Sequence, residues 1–239
     1  MEGFHREHAG ITEDLLSRAT DADGSTPYGW LGAPIARSSP VVDVGCGSGP
    51  TASSSGSWIG VDRSSAELAL AADRGRGPLV MAGSHALPLA RGSADAAVAA
   101  MSLMVVDDPG TTLAEVARVL KPGGRVAVLM PSRRPLRLAD LARYAALLAV
   151  LGRRGLPFPH PDLAHRLIEL LAEAGFDVLS DDDRRFECPM TTPEDHARFV
   201  RSLYLRGIAP RRVALAGQLV RRWGSAPLGI PLRRVIATL

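Results

Sequence analysis

Residues 41–50 read VVDVGCGSGP: a short apolar run carrying Asp43, then glycine at every second position (Gly45, Gly47, Gly49), then Pro50. Glycines spaced in this way let the main chain take positive φ and let a ligand approach backbone that carries no side chains. A buried strand that feeds such a turn is a mark of open α/β sheets, in which ligands bind outside the carboxyl ends of the strands. This one stretch therefore limits both the fold class and the place to look for a site.

The rest of the chain keeps to that pattern. PVVDVG, WIGVD, PLVMAG, DAAVAAMS and GRVAVLMP read as five strands, and FDVLSDDDRRFECP and PLRRVIATL as two more. Between them, SSAELALAADRG opens on serine caps and closes on Gly75, and TTLAEVARVLKPGG opens on threonines and stops at Pro-Gly-Gly. Strand and helix in alternation imply a parallel sheet with helices on both faces. The expected fold class is α/β, a Rossmann-like, doubly wound, mostly parallel seven-stranded sheet with helical lid insertions. The expected organisation is a single domain over 1–239: an N-terminal cap over 1–39, a ligand-binding core over 40–131, and helical lid segments over 132–157 and 193–224 that carry substrate choice.

Composition narrows the function classes. With 239 residues and 46% hydrophobic content, the chain buries one sizeable core. It has no apolar run long enough to span a bilayer, and its first residues are too polar for a secretory signal, so a cytoplasmic location is expected. Cys46 and Cys188, far apart and in unlike surroundings, form no disulfide framework. The formal charge of +3 rests almost wholly on arginine, with Lys121 the one lysine. Arginine doublets are scattered along the chain without interleaved aromatics, which reads as a solvated surface and speaks against nucleic-acid binding.

The spacing G-x-G-x-G differs from the dinucleotide G-x-G-x-x-G, because Pro50 stands where the third glycine would be. This weighs against NAD and FAD. Asp62, at the end of WIGVD and nineteen positions after Asp43, is placed to accept hydrogen bonds from both hydroxyls of a ribose. A nucleoside ligand without an extended pyrophosphate is the expectation.

VVDVGCGSG, IGVDRSSAELALA, ALPLARGSADAAVAAMSLM and LAEVARVLKPGGRVAVLMP, taken in order over about residues 40–131, resemble successive motifs of the class I S-adenosylmethionine-dependent methyltransferases, in the small-molecule branch that includes the ubiquinone and menaquinone C-methyltransferases. The resemblance implies S-adenosyl-L-methionine as cofactor and S-adenosyl-L-homocysteine as product. Carried over residue by residue, it implies that Gly45 and Gly47, with Cys46 between them, approach the methionine moiety while Asp43 supports the loop. It implies further that Asp62 holds the ribose, Arg63 flanks the adenine, Ser84 and His85 face the adenine amine edge, and Met101 meets the cofactor through its backbone. Tyr28 and Trp30 fall in a segment that folds over the methionine end in relatives, and Tyr28 is counted with the cofactor-binding residues. The LKPGG turn at 120–124 is implied to be structural.

Three departures from the family pattern bear on the chemistry. Only thirteen positions separate Gly49 from Asp62, so the helix after the turn is expected to be very short, with Pro50 at its first position. Ser84 stands where relatives commonly carry an acid for the adenine amino group. Met104 and Val105 occupy places where many small-molecule O-methyltransferases carry histidines. A sulfonium methyl donor is already activated, so proximity and orientation can carry most of the rate, and a base is needed only for an acceptor that must lose a proton. His5, His8, Tyr28, His85, Asp107 and Asp108 are the titratable groups near the strand ends, with His85, Asp107 and Tyr28 the weak candidates for catalysis. His5 and His8 lie three apart but lack a third ligand, so no metal is expected. His160 and His165 are given no role. The expected function is methyl transfer to O, N or C of a small-molecule acceptor. The alternative is a methyltransferase-like cofactor binder with lost or repurposed catalysis.

Overall fold

The structure, a computed structural model, describes residues 8–54, 56–155, 158–205 and 207–239. His5 lies outside the described residues, and with it the His5–His8 pair. Strands β1 (Val41–Val44), β2 (Trp58–Asp62), β3 (Leu79–Met81), β4 (Ala94–Ala100), β5 (Leu120–Pro131), β6 (Asp177–Cys188) and β7 (Leu228–Thr238) form one sheet in the order β3-β2-β1-β4-β5-β7-β6. The five strands from β3 to β5 pair in parallel, and β7 runs antiparallel to both β5 and β6. The chain leaves β1 to build β2 and β3 on one side and returns to build β4 on the other. Such a reversal opens a crevice at the carboxyl ends of β1 and β4.

Helices cover both faces. One face packs Val41, Ala96, Val98, Ala127 and Leu129 against the N-terminal helices α1 (Ile11–Leu16) and α2 (Pro27–Gly32). The same face takes α5 (Leu138–Leu151), α7 (Pro193–Ser202) and α8 (Pro210–Arg221) through Leu147, Leu151, Phe199, Ala216 and Val220. The other face packs Val42, Val44, Ala97, Ala99, Val126 and Val128 against α4 (Pro109–Val119) and α6 (Leu163–Glu173), while α3 (Ser65–Asp73) links β2 to β3. Alternating strand residues thus divide between two cores, the period-two consequence of a pleated sheet buried on both sides.

Local chemistry sets the helix starts. The Ser64 hydroxyl accepts from the Glu67 N–H at the head of α3. The Asp108 carboxylate accepts from Gly110 and Thr111 N–H, so α4 starts at Pro109, two residues ahead of the expected threonines. The expected LKPGG turn proves to be a bulge within β5: Leu120 pairs with Ala94, Lys121–Gly124 loop out, and pairing resumes at Arg125. Gly123 at φ 74 gives the bulge its left-handed residue. Among the described residues no helix is long and apolar enough to cross a membrane.

Candidate functional site

Gly45, Gly47 and Gly49 all adopt positive φ, at 70, 53 and 80°. The turn is pinned from three directions. Val61 O accepts from the N–H groups of Gly45 and Cys46, at 2.8 and 3.1 Å. Asp62 Oδ2 accepts from Gly47 N–H at 2.8 Å. Ser102, just past β4, donates its hydroxyl to Val44 O at 2.7 Å and presses so close that a Cβ on Gly45 would stand 2.6 Å from its own. After the turn, Ala52 N–H returns to Gly49 O, which makes Pro50 the second residue of a reverse turn, where its fixed φ fits. A single 3-10 turn at Ala52–Ser54 follows, so the expected shortening is met, with residue 55 outside the described set. The expectation that Pro50 starts a helix is corrected: it sits in a turn ahead of one.

Beneath the turn, Asp43 is fully buried. Its Oδ2 accepts from the Thr51 hydroxyl, which itself accepts from Trp58 Nε1 at 3.1 Å, and Oδ1 has no partner among the described residues. Burial, helped by the nearby charge of Asp62 and opposed by the Thr51 and Trp58 hydrogen bonds, pushes Asp43 up to about 7. A carboxyl raised in the folded chain stabilises fully below its ordinary value of 3.8, and that contribution is lost as pH rises through about 7. Asp43→Asn keeps the acceptor for Thr51 and removes the titration. The variant is therefore expected to gain stability on the wild type as pH climbs from 4 to 8, by up to roughly 4 kcal/mol. Chemical denaturation across that range checks it, and parallel pH profiles for the two proteins would show Asp43 ionised throughout.

A cavity of about 350 Å³ opens at the carboxyl ends of β1, β2 and β4. Its wall includes Gly45, Cys46, Gly47, Asp62, Arg63, Ser84, His85, Met101 and Tyr28, so the structure brings together the expected site residues other than Asp43, which lies underneath. Asp62 ends β2 and its Oδ1 accepts from Ser64 N–H at 2.8 Å. Each carboxylate oxygen thus accepts from a backbone N–H while the residue itself forms part of the cavity wall. Ser84 is 2.8 Å from the Thr112 hydroxyl, and the His85 ring folds back over Gly83. Met101 leaves β4 at φ 57, rare for a side chain of its size, with its N–H held by Leu129 O at 2.8 Å.

The candidate bases fare differently. Tyr28 is buried, and burial together with the carboxylates of Glu13, Asp43 and Glu67 drives its phenol far above the usual range. It is a hydroxyl and no base. Asp107 pairs with Arg63 at 2.9 Å on the rim, and Asp108 is occupied as the α4 cap. The Cys46 thiol is likewise raised, by burial and by Asp43 and Asp62, so it is not poised as a nucleophile. His8 adds nothing to the cavity wall. His160 reaches Val106 O at 2.8 Å, against the outside of that wall.

The cavity lining brings in residues that the sequence pattern does not point to. None of the described lining residues comes from the 132–157 or 193–224 segments, whose apolar faces are spent on the sheet beside β5 and β7. The nearest cover is α1, through Gly10, Thr12 and Glu13. Glu67 on α3 also faces the cavity and accepts from Gly10 N–H at 3.0 Å. In the sequence, Ser64-x-x-Glu67 signals only a helix start, and nothing local ties Glu67 or Glu13 to a site.

The strand order, the switch point and the glycine-lined cavity define a Rossmann-like α/β protein whose ligand crevice lies at the strand ends. A family model described as a methyltransferase domain matches residues 42–128. The O-methyltransferase resE of Aspergillus sclerotiorum is 32% identical over 203 residues, spanning 77% of this chain and 73% of that protein. The chain belongs to the class I S-adenosylmethionine-dependent methyltransferases. Solved structures share its fold: a SAM-dependent methyltransferase of Thermotoga maritima superposes with a TM-score of 0.58 at 17% identity, covering 100% of this chain and 99% of that one. A protein described as a type II methyltransferase, from Anaeromyxobacter dehalogenans, gives 0.66 at 20% identity over 92% of this chain and 97% of that one.

Proposed function

We propose that the chain transfers the methyl group of S-adenosylmethionine to an oxygen of a small molecule that arrives ionised or ionises readily, such as a phenol or a carboxylic acid. The observation that carries this reading is the Asp62 carboxylate at the tip of β2, locked to Gly47 N–H at 2.8 Å on the wall of a cavity of about 350 Å³. The residues fit the cofactor. Gly45 and Gly47, both left-handed, bring bare backbone to the cavity wall, and a Cβ on Gly47 would meet the Glu67 carboxylate at 3.6 Å, an ordinary contact. Asp62 would accept the two ribose hydroxyls, Ser84 and His85 would border the adenine with Arg63 on its flank, and Gly45, Cys46 and Gly47 would run beside the amino-acid end. Tyr28 and Met101 would close the wall near the reacting centre.

When bound, the cofactor supplies a methyl group already activated on a sulfonium sulfur. What remains to the protein is alignment and water exclusion, worth on the order of 7–11 kcal/mol when the reacting atoms are held in line. Tyr28 is buried, Asp107 is paired with Arg63 and Asp108 is spent on the α4 cap, which favours an acceptor of low pKa, while His85 stays on the cavity wall as the candidate that the variants below test; the O-methyltransferase relative favours oxygen.

A radiolabelled methyl-transfer screen over phenols, carboxylic acids, amines and quinones is expected to label the first two classes. His85→Ala and Asp107→Asn, made singly, are expected to lower turnover by less than the roughly 10²–10⁴-fold owed to an essential base. Cofactor binding without transfer to any acceptor would overturn the catalytic reading. A larger loss from either variant would make that residue the base.

A further inference from the structure

The half-buried charges around α1 carry a second inference, which rests on the reading that the cavity takes the methyl donor. Glu13, at the middle of α1, lines the cavity and binds three partners from two other parts of the chain. Its Oε2 accepts from the Ser48 hydroxyl at 2.6 Å, from Arg76 at 2.7 Å and from Arg74 at 2.5 Å, and its Oε1 accepts again from Arg76 at 2.8 Å. Arg76 also donates to Ser48 O at 2.7 Å. Ser48 sits between Gly47 and Gly49, so Glu13, Arg76 and Ser48 close a ring that includes the glycine turn itself. Beside it, Gly10 N–H is held by Glu67, a second tie between the chain ahead of α1 and the cavity wall.

The side chains are 11% exposed for Glu13 and 24% for Arg76, which limits screening and makes this a stronger contact than an open surface pair. Burial acts to raise the Glu13 carboxyl, but the hydrogen bonds from Arg76 and Ser48 and the charges of both arginines outweigh it and hold it below the ordinary range. A glycine turn has little stiffness of its own, because glycine loses more conformational freedom on ordering than any other residue. An outside clamp on the one polar side chain within it, Ser48, supplies the missing order.

We propose that Glu13 is a positioning residue for the methyl donor: by gripping Ser48 and Arg76 together it fixes the glycine turn and seats α1 as the wall over it, so that donor release requires this latch to open. Glu13→Gln retains size and one acceptor but turns an amide toward a guanidinium. Stopped-flow release of S-adenosylhomocysteine is expected to be about 10-fold or more faster in this variant, with the KM for the donor raised to match and kcat changed by less than about threefold. Raising salt from about 50 to about 500 mM is expected to speed release from the wild type and to leave the variant almost unaffected. Ser48→Ala, which removes one hydroxyl, is expected to give a smaller change in the same direction and tests the latch even where Glu13→Gln folds poorly. Arg18→Ala, which cuts only the tie of the segment after α1 to Asp195 at 3.1 Å, is the control and is expected to leave release within about twofold.

Unchanged release in Glu13→Gln and Ser48→Ala, whatever their melting temperatures, would overturn the latch while leaving the donor reading intact. Equal acceleration in Arg18→Ala would also overturn it, by showing that any loosening of the N-terminal segment suffices. A wild type with no saturable binding of S-adenosylhomocysteine would overturn the donor reading and the latch with it.

Discussion

Gly47→Val is expected to give a folded protein that no longer binds S-adenosylhomocysteine or turns over. Gly47 stands at φ 53, and a Cβ there would meet only the Glu67 carboxylate, at 3.6–3.8 Å. That Cβ makes only an ordinary contact, and because Gly47 is part of the cavity wall the added methyls are expected to take space that the proposed donor needs. The left-handed backbone costs a β-branched residue on the order of 1–3 kcal/mol, so the melting temperature should fall by several degrees while the fold persists. Gly45 makes the contrast. A Cβ there would stand 2.6 Å from Ser102 Cβ, so Gly45→Ala should disturb the packing of β1 on β4 and lower stability more than Gly47→Val does. Circular dichroism melts beside calorimetric titration check the pair. Near-normal affinity in Gly47→Val would remove the glycine turn from the site.

Asp62→Ala is the second large effect. Loss of hydrogen bonds from a ligand to a charged acceptor costs roughly 1–3 kcal/mol. Here the carboxylate also holds Gly47 N–H and Ser64 N–H, at 2.8 Å each, so its removal frees the turn as well as the ribose contact. The expected loss of donor affinity is about 100-fold or more, above what the ligand contact alone would give. Asp62→Asn is not a mild substitute: an amide offers one acceptor oxygen, and its NH₂ faces one of those two N–H groups. It is expected to lose most of the same affinity. Unchanged binding in both variants would place the ribose elsewhere.

The parts of this site that lie within one strand-turn-strand unit were legible from the residues. VVDVGCGSGP and WIGVD announce a buried strand, a left-handed turn and an acid at the next strand tip, all within about twenty positions, and periodicity and turn chemistry are local signals. The cap of α3 is also legible in the serines that open SSAELALAADRG: the Ser64 hydroxyl accepts from Glu67 N–H. What pairs across the chain was not. Ser102 against Gly45, Glu67 under Gly10, and Glu13 with Ser48 and Arg76 join residues whose separations carry no pattern. The packing of the 132–157 and 193–224 helices is hidden for a related reason. Amphipathic helices such as α7 and α8 announce that they have an apolar face but not what the face covers, and here it covers the sheet flank. Tyr28 is a candidate base by its position in the chain, yet its burial, followed by the carboxylates of Glu13, Asp43 and Glu67 around it, holds its proton, and neither is visible in the local sequence.

Calorimetric titration of S-adenosylhomocysteine into the wild-type chain tests the central claim most directly. One saturable site per chain with a dissociation constant in the micromolar range, about −8 kcal/mol, is the expected result. The absence of saturable heat at ligand concentrations up to about 1 mM, where even binding of about −4 kcal/mol would register, would contradict it.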